Sequence, residues 1–255
     1  MSPSTRFLPE QAESPPLNDR DWSRWLVHAH DPDWLRAPEP RLGRIQADRA
    51  RAAMTWNTFR TPAPIHPAYW LRQLHARLFG FDERYRAPAS LDVRLWGSAV
   101  SLNVDEARTD TVDVVLESQD AVWGLLTVFE RDVIATRRDV EGVDPVHRTV
   151  DAVARIAGRR RCLVGMICLS ENTAPIGGSL IRRYATDLGL GRLRGEPEGR
   201  NVLGIGMGTW GMVAAVFAGA VSAPSIDQTE RLALYRCLRW LAASGVVPED
   251  ARHNS

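Results

Sequence analysis

Carboxylates along one segment of the sequence carry its clearest chemical signal. Asp113 lies in the alternating run TVDVVLES, and Glu130 and Asp132 follow it in FERDV. Because Mg²⁺ prefers hard oxygen ligands, Asp113 and Glu130 could hold a magnesium ion if the chain brings them together. Such an ion lowers the pKa of a bound water. Glu117 shares a strand face with Asp113 by alternation and is a further candidate ligand, although a solvated strand end explains it more simply.

These carboxylates depend on a predicted hairpin, in which Ser118, Gln119 and Asp120 supply the turn. Apolar periodicity predicts helices before and after it, and a short, continuously apolar run predicts a buried strand. The predicted order is helices at 42–59 and 67–79, strands at 91–97, 111–117 and 121–130, a helix at 144–158, a strand at 161–170, a helix at 179–188, a strand at 201–205 and a closing helix at 228–243. This order favours an α/β fold with a mixed central sheet flanked by helices.

The segment from about 42 to 170 resembles the core of the PD-(D/E)XK superfamily, which has the restriction-endonuclease-like fold. In that family an Asp ends the second core strand, and a Glu-x-Lys lies on the third. The carboxylates hold Mg²⁺, and the lysine positions or activates the attacking water. The resemblance implies that Asp113 is the family's aspartate.

Two alignments of the third strand lead to different functions. One uses residues 130–132, with Glu130 as the second metal ligand and Asp132 in place of the lysine, as in the few restriction enzymes that carry an acidic residue there. That alignment implies a Mg²⁺-dependent nuclease acting on DNA. The other uses Thr127-Val128-Phe129, which contains no catalytic group and implies a pseudonuclease that binds DNA or protein within a multi-subunit DNA-processing or defence assembly. A third interpretation is an unrelated α/β protein in which the pattern of carboxylates arises by chance.

Every basic residue is arginine, 32 in all, so no alignment can supply the family's lysine. The absence of lysine also disfavours P-loop NTPases and ordinary protein kinases, whose lysine contacts the nucleotide phosphates. It disfavours Schiff-base enzymes as well, because guanidinium stays protonated and cannot act as the amine nucleophile or general base. A net charge of +1 gives no global field that would recruit nucleic acid or a membrane.

Local arginine clusters are candidates for nucleic-acid binding. Arg137 and Arg138 precede the predicted helix at 144–158, and Arg159, Arg160 and Arg161 follow it. They would suit phosphate contacts beside a nuclease cleft. The alternative is a solvated helix end, where cations complement the helix dipole.

Two further motifs in the sequence do not favour a cofactor or metal site. Residues 206–211 fit GxGxxG, but too little chain follows for the rest of a dinucleotide-binding sheet, and a tightly packed strand-to-helix turn explains the glycines better. His28 and His30 form an HxH pair that lacks the Asp-His of the metallo-β-lactamase pattern. The other histidines, including His75, are expected to be ordinary packed or surface residues.

The chain is predicted to consist of a partly disordered arm at 1–41 and one α/β domain at 42–255. The arm carries tryptophans that could anchor a protein partner: Trp22, Trp25 and Trp34.

We expect a cytoplasmic protein with no membrane span. The N-terminal residues lack the apolar core of a secretory signal. Three cysteines without framework spacing favour buried thiols in a reducing compartment. The apolar run at 203–221 is about long enough to span a bilayer, but it begins as a glycine-rich strand and has no cationic flanks.

Overall fold

A five-stranded mixed sheet is the central feature of the structure, which is a computed structural model that describes residues 49–98, 111–127, 145–168 and 201–243. The chain divides into two compact units, one formed by His66–Val213 and one by Met1–Ile65 together with Ala214–Ser255. The predicted arm at 1–41 and the predicted helix at 179–188 lie outside the described residues. The described helices are α1 (Arg49–Arg60), α2 (Leu71–Phe79), α3 (Pro145–Ala157), α4 (Trp210–Val221) and α5 (Gln228–Ala243), and a 3-10 turn at Pro67–Tyr69 leads into α2.

The strands follow one another across the sheet in chain order. They are β1 (Asp92–Ser98), β2 (Thr111–Glu117), β3 (Ala121–Thr127), β4 (Arg161–Cys168) and β5 (Val202–Thr209). The first three are antiparallel neighbours, and β4 and β5 continue the sheet in parallel with β3. The predicted α/β class with a mixed central sheet is therefore confirmed.

The β2–β3 hairpin was predicted from its alternation and is present. Val115 pairs with Gly124 and Leu116 with Trp123 in the antiparallel register. The turn closes where the Ser118 N–H donates to the Ala121 carbonyl oxygen at 2.9 Å. The remainder of the predicted third strand, 128–130, lies outside the described residues.

Helix α3 covers one face of the sheet and contacts β2, β3 and β4. It carries the chain from β3 to its parallel neighbour β4, a connection for which a helix is the usual solution. A Cβ atom at Gly124 would overlap the Val153 side chain, so the missing side chain lets the helix approach the sheet. The core between them consists of Val115, Val122, Val150, Val153, Cys162, Val164 and Met166, with further small side chains around them.

Helix α2 lies on the opposite face, since Trp123, the neighbour of Gly124, contacts α2 residues. A Cβ atom at Gly206 would overlap the Leu78 carbonyl oxygen, so β5 and the backbone of α2 meet with no side chain between them. The approach of Leu78 explains the first two glycines of the GxGxxG pattern, Gly206 and Gly208. Gly206 and Gly208 lie inside β5, which runs to Thr209 and not to the predicted end at 205, and α4 begins directly at Trp210. The predicted strand-to-helix junction is thus present at 209–210, and the first two glycines belong to the strand surface that fits a helix.

The second unit contains α1 and α5, which contact each other. Helix α5 begins with a reciprocal capping box, in which the Glu230 N–H donates to Asp227 Oδ1 at 2.8 Å and the Asp227 N–H donates to Glu230 Oε2 at 3.1 Å. Polar side chains of α1 are buried, and the Thr61 hydroxyl donates to the Asn57 carbonyl oxygen at 2.6 Å. Among the described helices, none is both long and apolar enough to cross a bilayer.

The three cysteines are free and buried, as predicted. Burial raises the pKa of the Cys162 thiol to about 11 and that of Cys237 to about 12. Both thiols are therefore protonated at neutral pH and act as small apolar groups.

Candidate functional site

Asp113 lies within β2 and is buried, with 8% of its surface exposed. Its Oδ2 accepts a hydrogen bond from the Thr127 backbone N–H at 2.7 Å and a second from the Thr127 hydroxyl at 2.9 Å. Both bonds cross the hairpin just beyond the Val114↔Leu125 pair, where the ladder of β2 and β3 ends. The carboxylate therefore continues the connection between the two strands beyond the last backbone pair.

The two hydrogen bonds from Thr127 stabilise the buried carboxylate of Asp113. Hydrogen bonds to a charged acceptor are stronger than those between neutral groups, and a buried carboxylate needs such donors to offset its desolvation. One oxygen of Asp113 is already shared by two donors from a single residue. In the described surroundings, Asp113 joins two strands, and its contacts are those of a structural carboxylate.

The position of Thr127 bears on one of the two alignments proposed for the third strand. Thr127 is the third-strand residue whose side chain meets Asp113. It is also the first residue of the alignment Thr127-Val128-Phe129, which supplies no catalytic group. Glu130 and Asp132, which belong to the other alignment, lie outside the described residues, and their assignment as a metal ligand and a catalytic residue stays a prediction.

Glu117 lies at the other end of β2, about 13 Å from Asp113 along the strand at a rise of 3.2–3.4 Å per residue. It pairs with Arg94 on β1, and its Oε1 lies 2.6 Å from Arg160 Nη1. The structure therefore does not bring Glu117 and Asp113 to one point. Glu117 is bound by two guanidinium groups in place of a cation shared with Asp113.

Arg160 connects the hairpin turn to the end of α3. Its Nη1 donates to the Ser118 carbonyl oxygen at 3.1 Å. Its Nη2 donates to the Ile156 carbonyl oxygen at 3.0 Å, and its Nε donates to that of Ala157 at 3.2 Å. The rigid fork of guanidinium donors suits this task, because it reaches carbonyl oxygens of the helix end and of the turn at once.

The remaining arginines predicted to bind nucleic acid have different surroundings. Arg159 and Arg161 are exposed on either side of Arg160. Arg137 and Arg138 lie outside the described residues. Of the cluster that follows α3, Arg160 thus directs its donors into the protein, while Arg159 and Arg161 are available to solvent.

A pocket beside α2 was not predicted from the sequence. It has a volume of about 360 Å³, and its lining includes Arg72, Gln73, His75, Phe81, Asp82 and Tyr85. The His75 and Tyr85 rings stack with their centroids 3.9 Å apart and their planes 11° from parallel. Burial lowers the pKa of His75, and the nearby Asp82 carboxylate opposes that shift. No sequence pattern predicts this pocket, because a histidine on an apolar helix face is ordinarily a packed residue.

The described residues contain no group of three or more His, Cys, Asp or Glu side chains placed to hold a metal ion. Asp113 and Glu117 are bound to separate partners, and Glu130 lies outside the described residues, so the magnesium ion stays a prediction and no catalytic step through it is derived. No protein-family model, curated protein or solved structure matches the chain.

Proposed function

We propose that this chain is a non-catalytic relative of the restriction-endonuclease-like nucleases and that it serves as a DNA- or protein-binding component of a larger assembly. The observation that carries the proposal is the pairing of Asp113 with Thr127 at 2.9 Å. In an active member, a third-strand glutamate would be expected to share a metal with this aspartate. A threonine that donates to one oxygen of the aspartate stabilises part of its charge without a cation.

The order of elements supports the same proposal. Helix α2, the antiparallel strands β1 to β3, helix α3 and the parallel strand β4 follow in the sequence that the resemblance implies. Asp113 lies on the second strand of that series, but near its start and not at its end as in the family's pattern. The scaffold thus agrees with the resemblance, while the partner of Asp113 agrees with its degenerate form.

The first test is cleavage of supercoiled plasmid by the full-length chain with Mg²⁺ or Mn²⁺. We expect no nicking by the wild type and none by the D113A variant. A matched variant, D113N, keeps an oxygen acceptor for Thr127 and controls for loss of folding. Metal-dependent cleavage by the wild type that disappears in D113N would overturn the proposal in favour of an active nuclease.

The second test concerns DNA binding, which Arg159 and Arg161 would mediate through phosphates. Fluorescence anisotropy with a labelled duplex should show weaker binding by R159A and R161A at every sequence tried, with a salt dependence reduced by about one released ion for each substitution. R236A, on the exposed surface of α5, is the control. If the wild type binds no duplex, the protein-binding form of the proposal remains, and size-exclusion chromatography with a candidate partner tests it.

A further inference from the structure

The pocket beside α2 combines exposed aromatic surface with a cation. We propose that it binds a small ligand in which an aromatic ring carries an anionic group, a chemistry that mononucleotides and aromatic carboxylates share. This inference goes beyond the proposed function and does not depend on the role of Asp113. It rests on the geometry of α2 and of the segment that follows it.

The aromatic half of the site is Phe81, which is 72% exposed and lines the pocket. A phenyl ring exposed to solvent offers apolar surface on which the planar ring of a ligand can stack. The neighbouring His75–Tyr85 stack adds two further rings to the lining. With a volume of about 360 Å³, the pocket is large enough for one ligand of one or two rings.

The segment that carries Phe81 is held in place by its own hydrogen bonds. The Arg84 N–H donates to Asp82 Oδ1 at 2.8 Å, and the Tyr85 N–H donates to the Asp82 carbonyl oxygen at 3.1 Å. This turn returns the chain so that Tyr85 stacks on His75. The aromatic lining is therefore positioned before a ligand arrives, which reduces the entropy cost of binding.

The anionic half of the ligand follows from the charges of the lining. Asp82 uses one carboxylate oxygen in the turn and lies near enough to His75 to affect its pKa. Arg72 is exposed, and within the described residues it makes no hydrogen bond or ion pair. A guanidinium group binds carboxylates and phosphates in a two-point fashion, so the free cation favours an anion.

The test measures binding to the full-length chain by isothermal titration calorimetry. The probes are adenosine 5′-monophosphate and indole-3-acetate, with adenosine and inorganic phosphate as ligands that carry only one half of the chemistry. We expect at least one probe to bind and each half-ligand to bind at least about tenfold more weakly than the better probe. The R72A variant should weaken binding of that probe about tenfold and leave adenosine unchanged. F81A should weaken binding of both adenosine and the probe.

R77A is the matched control, because Arg77 is exposed on the same helix and does not line the pocket. Binding of only one probe identifies whether a phosphate or a carboxylate supplies the anion. Failure of both probes at millimolar concentration overturns the proposal, and so does binding that is equally strong in R72A, F81A and R77A. Since no outcome involves DNA or cleavage, failure here is distinguishable from failure of the proposed function.

Discussion

The two ends of the β2–β3 hairpin hold their carboxylates in different ways. At one end, Asp113 is buried and accepts both of its described hydrogen bonds from Thr127. At the other end, Glu117 is partly exposed and is paired with Arg94 and Arg160. The sequence suggested a metal site at Asp113 and Glu130, with Glu117 as a further candidate ligand or a solvated strand end. The structure shows that two acidic residues of one strand can have separate local partners when three residues lie between them.

The largest expected effect comes from Asp113→Ala. This substitution leaves two buried donors of Thr127 without their acceptor, which should lower the free energy of unfolding by about 2–3 kcal/mol. Urea denaturation measures the effect. The D113N variant should lose less, because its side-chain oxygen can still accept. A stability of D113A equal to that of the wild type would remove the distinction between the two ends.

The next effect in size is expected for Arg160→Ala, which removes the connection from the turn to the end of α3. Since the side chain is partly exposed, solvent screening limits the loss to about 1–2 kcal/mol. The R160K variant should recover little, because a single ammonium group cannot reproduce the fork of donors. Thermal denaturation of R160A, R160K and the exposed control R159A checks this order. Full recovery by lysine would show that charge alone matters at this end.

A smaller effect is expected for Thr127→Val, which keeps the shape of the side chain and the backbone donor but removes the hydroxyl. Loss of one hydrogen bond to a buried carboxylate should cost about 1–2 kcal/mol. The T127S variant retains the hydroxyl and is the matched control. Denaturant midpoints for the two variants that differ by no more than the measurement error would show that the hydroxyl contributes nothing to the Asp113 end.

The smallest effect is expected for Glu117→Gln, because ion pairs near the surface contribute about 0–1 kcal/mol and are screened by salt. The loss should shrink between low and high sodium chloride. The loss in D113A should change little over the same range, since that carboxylate is buried. Denaturation at both salt concentrations compares the two ends directly, and an equal salt response of the two variants would contradict the difference.

Local periodicity was sufficient to predict much of the fold. The strand at 111–117 and the helix at 228–243 were predicted with the bounds that the structure gives, because the apolar spacing and turn residues there agree with the tertiary context. The end of β5 was not predicted. Its glycines look like a turn in the sequence, and their strand conformation depends on the close approach of Leu78 from a distant helix.

The candidate site was harder to predict for the same reason. The Asp113–Thr127 contact depends on the register of two strands, which periodicity leaves open to a shift of the third-strand alignment. Arg160 stands in a run of three arginines, and nothing in the run shows which guanidinium turns inward. The pocket needs His75 and Tyr85 to meet across a turn. The periodicity of a single helix or strand cannot relate two residues that a turn separates.

The contact between Gly206 and Leu78 also limits how this protein can be altered. Helix α2 carries Arg72 and His75, so the distance between that helix and β5 sets the position of one wall of the pocket. A residue without a side chain thus controls the dimensions of a cavity that it does not line. An alanine introduced there would overlap the Leu78 carbonyl group, so the helix or the strand would have to move, at a cost in stability.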